Sequence, residues 1–191
     1  MTGPSLSDPT ILIVMGVSGS GKSTIGTLLA MQLQWEFEDA DWFHPPANVE
    51  KMHSGVPLTD EDRWPWLNAI AEWIDKARVS GRHAVIACSA LKRRYRDILI
   101  GDRKDVRLVY LKGDEAVIAR RFAIRHEHFM PLTLLHSQFE ALEEPGADEN
   151  PITVSIEPPP REIVSQIVSG VKSSKNAPLE QTSLRPFGLG S

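Results

Sequence analysis

The feature that most constrains the fold is a join at residues 11–30, where the sequence reads ILIVMGVSGSGKSTIGTLLA. Its apolar, largely β-branched start is typical of a buried strand, and a helical pattern begins at Lys22. The residues between them, 16–23, match the pattern G-x-x-x-x-G-K-[S/T]. Such glycines let the backbone turn tightly so that successive N–H groups converge, and the helix N-terminus adds a favourable dipole. The join therefore predicts a cradle for phosphate groups.

The cradle predicts a nucleoside triphosphate, ATP, as the ligand. Lys22 would reach the β- and γ-phosphates, and the Ser23 hydroxyl would bind Mg²⁺. A glycine-rich turn with a chance lysine is the alternative, but the strand before it and the helix after it argue against that interpretation. The residues expected to contact the nucleotide are Gly16, Val17, Ser18, Gly19, Ser20, Gly21, Lys22, Ser23 and Thr24.

Two aspartates, Asp39 and Asp41, follow one strand-and-helix unit later in the segment FEDADWFHPP. If residues 37–41 finish a strand, its period of two places both carboxylates on one side at its carboxyl end, where open α/β sheets bind ligands. Phosphoryl transfer needs one acid at the metal and one at the attacking hydroxyl. We assign Asp39 to the metal and Asp41 to the hydroxyl; a polar loop of acids is the alternative.

Short apolar runs alternate with helical patterns between residues 10 and 172. Further strands are predicted in HAVIACSA, VRLVYLKG and ITVSIE, and helices in KSTIGTLLAMQLQ, DEAVIARRFAIRHEHF and from about Pro160. Continuous apolar strands separated by helices predict an α/β fold with a parallel sheet covered by helices on both faces. Residues 1–9 and 173–191 lack a periodic apolar face, so we expect flexible tails there.

The segment from Thr59 to Val79 has helical spacing but contains Pro65. Thr59 and Asp62 could form a capping box at its start. Because proline cannot lie in mid-helix without a break, we expect a turn at residues 60–63 and the main helix from about Trp64.

Composition excludes several classes of protein. The 191 residues fit one domain, and a formal charge of −4 leaves no basic excess to draw the chain onto nucleic acid or an anionic membrane. The single cysteine, Cys88, excludes an intrachain disulfide and favours a reducing compartment. No charged N-terminal region precedes an apolar one, and no apolar run approaches the roughly 18 residues of a membrane span. We expect a cytoplasmic protein, and a homodimer only as the common state of soluble enzymes.

Several longer motifs resemble the gluconate kinases (gluconokinases), which are small-sugar-acid kinases related to shikimate and nucleoside monophosphate kinases. They are MGVSGSGKST, DADWFHPPANVEKMHSGVPLTDEDRWPWL, CSALKRRYRDIL, VYLKGD and HFMPLTLLHSQFEALEEPGADE, and the resemblance runs from about residue 11 to 171. It implies a P-loop kinase fold with small substrate-binding and lid segments. The implied reaction is the ATP-dependent phosphorylation of D-gluconate at its 6-hydroxyl, which gives 6-phosphogluconate and ADP.

A gluconate pocket needs cations for the carboxylate and hydrogen-bonding groups for the polyol. Arg63 is the preferred carboxylate clamp because its planar fork can bind both oxygens. His44 could contact a substrate hydroxyl or order the turn that precedes two prolines, and action as a general base is the alternative. Each cation has the plainer alternative of a solvated side chain. The other candidates for contact with the substrate are Asp41, Lys51, Ser89, Lys92, Arg96 and Gln138.

The resemblance also implies a lid at about residues 119–137 that closes over ATP. Arg121 and Arg125 lie four residues apart and would share a helix face. We assign Arg121 to the nucleotide and Arg125 to the charge that develops in the transition state. A basic helix surface is the alternative.

Two other functions fit parts of the same pattern. A kinase of the same fold could phosphorylate another small hydroxy acid or a nucleoside monophosphate. A regulatory module could bind nucleotide without transferring phosphate, but Asp41 and Arg63 would then have no task.

Overall fold

The computed structural model describes residues 10–124 and 132–173, with the side chains of 122–124 and 132–134 left out. Both predicted tails, apart from Ser173, lie outside the described residues, and so do Arg125 and the middle of the predicted lid.

A sheet of five parallel strands, in the order β2-β3-β1-β4-β5, forms the centre of the protein. All residues of β1 and of β3 are buried, as expected for strands that helices cover on both faces. The carboxyl ends of parallel strands meet at one edge, so the segments that follow the strands converge there. The strands are β1 (Ile11–Met15), β2 (Glu36–Asp39), β3 (Ala84–Ala87), β4 (Val106–Lys112) and β5 (Ile152–Ser155).

Helices cover both faces of the sheet, which confirms the predicted α/β architecture. Alternate residues of β1 point to opposite faces: Leu12 packs in a core with α1 and α7, and Ile13 packs in a second core with α3 and α4. No helix in the described ranges is long and apolar enough to cross a membrane. The helices are α1 (Lys22–Leu33), α2 (Pro46–His53), α3 (Asp60–Val79), α4 (Arg93–Leu99), α5 (Glu115–Ile124), α6 (Leu132–Ala141) and α7 (Pro160–Ser173).

Helix α3 is continuous from Asp60, so the predicted turn at residues 60–63 is wrong. The capping box forms as expected: the Thr59 hydroxyl accepts the Asp62 N–H, and the Asp62 carboxylate accepts the Thr59 N–H at 2.9 Å. Pro65 has no backbone N–H, so the helix loses one backbone hydrogen bond there. Burial of the other face of the helix offsets that loss. The buried residues of this face are Trp66, Leu67, Ile70, Ala71, Ile74 and Ala77.

Candidate active site

The phosphate loop joins β1 to α1 and has little room for side chains. Gly16 and Gly21 have φ angles of +151° and +95°, which favour glycine. A Cβ on Gly16 would lie 2.7 Å from the Ser20 hydroxyl and 3.0 Å from the Leu111 carbonyl oxygen. The Ser20 hydroxyl is itself buried and has no hydrogen-bond partner within the described part of the chain. Since an unpaired buried hydroxyl is costly, the loop fits a ligand with acceptor oxygens.

Lys22 begins α1 and turns back onto the loop, where its Nζ donates to the Val17 carbonyl oxygen at 3.1 Å. Desolvation lowers the pKa of Lys22, and the neighbouring Asp41, Cys88 and Asp39 act in the opposite direction. Negative charge placed in the loop would restore the solvation that the ammonium group has lost. Lys22 is therefore suited to anionic phosphate oxygens.

Ser23 and Asp39 bring two oxygen donors together at the start of α1 and the end of β2. The Ser23 hydroxyl donates to Asp39 Oδ2 at 2.8 Å, which is the pair predicted to hold Mg²⁺. The described residues contain no group of three or more His, Cys, Asp or Glu side chains that could hold a metal ion. A Mg²⁺ ion held by Ser23 and Asp39 would take water and phosphate oxygens as its remaining ligands.

Asp41 lies in a 3₁₀ turn, Ala40–Phe43, so the expectation that one strand carries both aspartates is wrong. The turn forms because Asp39 Oδ1 accepts the Asp41 N–H at 3.1 Å and caps it. Although Asp41 is exposed, the cleft around it desolvates its carboxyl and raises the pKa of Asp41, as does the charge of Asp39; Lys22 and His44 oppose the shift. A raised pKa suits a carboxylate that accepts a proton.

His44 stacks on the buried indole of Trp66, with ring centroids 4.4 Å apart and the planes 8° from parallel. Trp66 Nε1 in turn donates to the Ala40 carbonyl oxygen at 2.7 Å, so the stack holds the turn that carries Asp41. Desolvation lowers the pKa of His44, as does Arg63, while Asp41 opposes the shift. These contacts support the turn-ordering role for His44 over that of the base.

Three of the four candidate cations differ in whether a protein carboxylate already holds them. Lys51 Nζ lies 2.6 Å from Asp62, and Lys92 Nζ lies 3.0 Å from Asp60. Arg63 uses Nη1 on the carbonyl oxygens of residues 58 and 59. Its Nε and Nη2 make no hydrogen bond to any described residue, so Arg63 keeps two donors for a ligand.

Asp60 and Tyr95 form the centre of a cluster between α3 and α4 that sequence reasoning missed. The Asp60 carboxylate accepts the Tyr95 hydroxyl and pairs with Lys92 and Arg94. These contacts, the Tyr95 hydrogen bond first, lower the pKa of Asp60 from 3.8 to about 2. The sequence signal that could have revealed this cluster is the acidic run at 60–62 together with the basic run at 92–96. The cations within 6 Å of the Tyr95 ring centre are Arg63, Lys92 and Arg94.

Comparison with known proteins decides the family. The shikimate kinase family model matches residues 18–169. A gluconokinase from Gluconobacter oxydans is 47% identical over 160 residues, covering 84% of this chain and 90% of the relative. The thermoresistant gluconokinase of Escherichia coli is 43% identical and covers 88% of this chain and 97% of its own. The chain belongs to the gluconokinase family.

Solved structures agree with this membership. A gluconokinase from Sinorhizobium meliloti has a TM-score of 0.79 and 43% identity, and the match covers 88% of this chain and 94% of that one. Shikimate kinase from Aquifex aeolicus, at 17% identity and a TM-score of 0.58, shares the fold. This gluconokinase-family chain is therefore a phosphotransferase with the P-loop kinase fold, and the resemblance seen in its motifs is confirmed.

Arg96 is not available to a substrate in this gluconokinase fold. Its side chain is 1% exposed, and Nε and Nη2 lie 2.6 and 2.9 Å from the two Glu149 carboxylate oxygens. Nη1 donates to the carbonyl oxygens of residues 90 and 91. Arg96 therefore fixes the loop that precedes β5, and the expectation that it meets the substrate carboxylate is wrong.

Ser89 and Gln138 both lie against the phosphate loop. The Gly16 N–H donates to the Ser89 carbonyl oxygen at 3.4 Å, just beyond β3. Gln138, on α6, accepts the Ser18 N–H at 2.7 Å and donates to the Ser18 hydroxyl at 2.9 Å. The predicted contacts of Ser89 and Gln138 with substrate thus remain predictions.

Arg121 lines a cavity on the outer side of the loop. The cavity has a volume of about 250 Å³ and is walled by Thr24, Ile156 and Pro158 as well as Arg121. The guanidinium donates to the Ile156 carbonyl oxygen, which fixes it at the wall. The cavity offers an apolar slot with one cation beside the phosphate loop.

Proposed function

We propose that the protein is an ATP-dependent gluconokinase that phosphorylates D-gluconate at its 6-hydroxyl, which gives 6-phospho-D-gluconate and ADP. The observation that carries this proposal is the hydrogen-bonded series that joins the phosphate loop to the turn of Asp41: Ser23 donates to Asp39, and Asp39 caps the turn that carries Asp41. The charge of Lys22 influences the pKa of Asp41, and the pKa of His44 responds to both Asp41 and Arg63. On this proposal the series brings the phosphate groups and the proton acceptor together, and Arg63, whose charge also acts on His44, would receive the substrate carboxylate.

The nucleotide would occupy the phosphate loop and the adjoining cavity. Residues 16–24 supply backbone N–H groups, Lys22 supplies charge, and the slot beside Arg121 suits a nucleobase. Ser23 and Asp39 would hold Mg²⁺, which would withdraw charge from the phosphate oxygens. Arg125 lies outside the described residues, and its role as a transition-state cation stays a prediction.

The chain's own contribution to the reaction lies mainly in Asp41 and Lys22. Asp41 would accept the proton of the attacking 6-hydroxyl, and its raised pKa brings it closer to the pKa such a base needs. Lys22 would neutralise charge on the phosphate oxygens as the bond to the leaving group breaks. Because Asp41 and Lys22 interact electrostatically, protonation of Asp41 would leave Lys22 with a stronger net attraction for the phosphates.

The carboxylate of gluconate would bind Arg63 through its two unused donors. The cluster around Tyr95 supports this end of the pocket, because two further cations, Lys92 and Arg94, lie beside the ring. Asp60 neutralises part of their charge and holds them in place. A carboxylate clamp at one end and a proton acceptor at the other favour an extended polyhydroxy acid over a nucleoside monophosphate.

A panel of acceptors tests the proposal directly. Protein, ATP and Mg²⁺ are mixed with D-gluconate, shikimate, AMP or D-glucitol, and ADP release and the mass of the product are measured. D-gluconate should give the highest kcat/KM. D-glucitol, which has the hydroxyls but no carboxylate, should be at least about 10²-fold poorer. Preference for another acceptor would identify a different kinase, and ADP release that no acceptor stimulates would favour the regulatory module.

The cellular setting belongs to the same proposal. We place the enzyme in the cytoplasm, because its one cysteine, Cys88, is a free thiol, as is usual for proteins of a reducing compartment.

A further inference from the structure

The helix that follows the predicted lid reaches the phosphate loop through one side chain, Gln138. Its Oε1 accepts the Ser18 N–H at 2.7 Å, and its Nε2 donates to the Ser18 hydroxyl at 2.9 Å. Both ends of the amide are therefore matched to the two polar groups of one residue, 120 positions away in the chain. A paired contact of this kind fixes orientation as well as distance.

The Ser18 N–H belongs to the same peptide plane as the Val17 carbonyl. That carbonyl oxygen receives Lys22 Nζ at 3.1 Å and the Ser20 N–H at 3.2 Å. Because a trans peptide is planar, with its N–H and C=O pointing in opposite directions, Gln138 on one side sets the direction of the Val17 carbonyl on the other. The position of Lys22 is thus connected to α6 through a single rigid unit.

Helix α6 is anchored well enough to act as the fixed end of this connection. Leu135 is fully buried in the core beside α1 and α7. His136 contacts Glu115 at the start of α5, at 3.2 Å. Just beyond α6, Glu143 accepts the Arg93 N–H at 2.6 Å and its own N–H donates to the Leu91 carbonyl oxygen at 2.9 Å.

We propose that Gln138 is a positioning residue for nucleotide binding: it fixes the Val17–Ser18 peptide, and with it Lys22 and the curvature of the phosphate loop. The proposal rests on the use of ATP but not on gluconate as the acceptor. Gln138 also connects the loop to α6, so that the geometry of the loop and the position of α6 depend on each other.

The test measures binding of a non-hydrolysable ATP analogue with Mg²⁺ by calorimetry, in the absence of any acceptor. Gln138→Leu removes both hydrogen bonds and should weaken binding about 10-fold. Gln138→Asn keeps the polarity but is one methylene too short to span the contact, so it should weaken binding to a similar extent. Gln166→Leu is the matched control on the exposed face of α7. Among the described residues, the Gln166 amide contacts Glu162 of the same helix. This variant should bind the analogue as the wild type does.

A double-mutant cycle separates positioning from a general loss of stability. Ser18→Ala removes the hydroxyl half of the contact and should weaken binding about 3-fold. When Ser18→Ala is combined with Gln138→Leu, the affinity for the analogue should fall no further than in Gln138→Leu alone, because the contact is already absent. Fully additive effects, or wild-type binding by Gln138→Asn, would overturn the proposal.

Steady-state kinetics distinguish this role from the substrate contact predicted for Gln138. The positioning role raises the KM for ATP and leaves the KM for gluconate unchanged. A rise confined to the KM for gluconate would assign Gln138 to the acceptor instead. Failure of gluconate as an acceptor would leave the calorimetric test intact, so the two proposals fail separately.

Discussion

The site has a phosphate end around Lys22 and a proposed acceptor end around Arg63, and the polar groups of these two ends are paired in different ways. At the phosphate end, the one hydrogen bond of Lys22 to a described residue goes to a backbone carbonyl oxygen of its own loop, and the Ser20 hydroxyl has no hydrogen-bond partner among these residues. At the acceptor end, Lys51 and Lys92 already pair with carboxylates of α3. Lys22 and Ser20 at the phosphate end are therefore ready for a ligand, whereas Lys51 and Lys92 at the acceptor end are already paired.

This difference changes how the cations of a motif should be interpreted. A cation that pairs with a protein carboxylate has part of its charge neutralised already, and the exchange of that partner for a substrate carboxylate brings little net free energy. We therefore expect Lys51 and Lys92 to stabilise the structure through their pairs with α3 rather than to bind the substrate. Arg63, with two donors unused by the described residues, is the group that can bind without such an exchange.

The largest effect is expected at the phosphate end. Lys22→Ala should reduce turnover to background, because the charge that faces the phosphates is lost. Its melting temperature should stay close to that of the wild type, since Lys22 contributes little packing. Lys172→Ala, on the exposed end of α7, is the charge-matched control and should turn over normally. Substantial activity of the Lys22→Ala variant would show that Lys22 is not needed at the phosphates, and the proposed difference between the two ends would fail.

The next effect is expected between the two ends, at Asp41. Asp41→Asn keeps the size of the side chain but cannot accept the proton, so kcat should fall roughly 10²- to 10⁴-fold with little change in nucleotide affinity. Since the pKa of Asp41 is raised above 3.8, wild-type kcat/KM should decline as pH falls through that raised value, and the variant should lack this decline.

Asp39→Asn provides the contrast for Asp41. It should raise the Mg²⁺ concentration needed for half-maximal activity, because one of the two oxygen donors at the metal becomes neutral. If Asp41→Asn were the variant that needed more Mg²⁺, the assignments of Asp39 and Asp41 would be exchanged.

A matched pair of variants sharpens the comparison at the acceptor end. Arg63→Ala should raise the KM for gluconate about 10- to 100-fold, since a charged, two-point contact is lost. Lys51→Ala should raise it less than about 3-fold, because Lys51 faces Asp62. The ratio of gluconate to D-glucitol turnover should fall only in Arg63→Ala. Equal effects of the two variants on this KM would contradict the distinction between clamp and scaffold.

The smallest effect is on stability and concerns Asp60. Its pKa of about 2 lies below the ordinary 3.8, so the carboxylate stabilises the folded state above about pH 4 and loses this contribution as pH falls toward about 2. Asp60→Asn should lower the free energy of unfolding by about 1 kcal/mol at pH 7, given its partly exposed cations. Urea melts at pH 7 and pH 3 would measure this, and the difference from the wild type should narrow at pH 3.

Asp97→Asn is the control for Asp60. Its carboxylate is 63% exposed and lies 3.7 Å from Arg93 on the same helix, so its removal should change stability very little at either pH. A loss of stability for Asp60→Asn that did not depend on pH would point to altered packing rather than to charge.

The sequence by itself determined the parallel sheet, the glycine-rich loop between β1 and α1, and the approach of Ser23 to Asp39. Strand and helix patterns depend on neighbouring residues, and the φ angle at Gly16 is a local property that only glycine adopts readily. Two predictions were wrong because a buried helix face or a local side-chain hydrogen bond outweighed the simple pattern. Pro65 does not break α3, because the capping box and the buried face of the helix hold it together. Asp41 lies beside Asp39 through a side-chain cap and not through strand periodicity.

The tertiary structure alone decided which polar side chains are free and which are paired. Lys92 meets Asp60 across 32 positions of the chain, Arg96 meets Glu149 across 53, and Gln138 meets Ser18 across 120. A motif specifies which residue types are present, but the partner of a charged group depends on which helices pack side by side. That packing is set by the two apolar cores on either side of the sheet, whose contacts are long-range and carry no signature next to the charges they bring together.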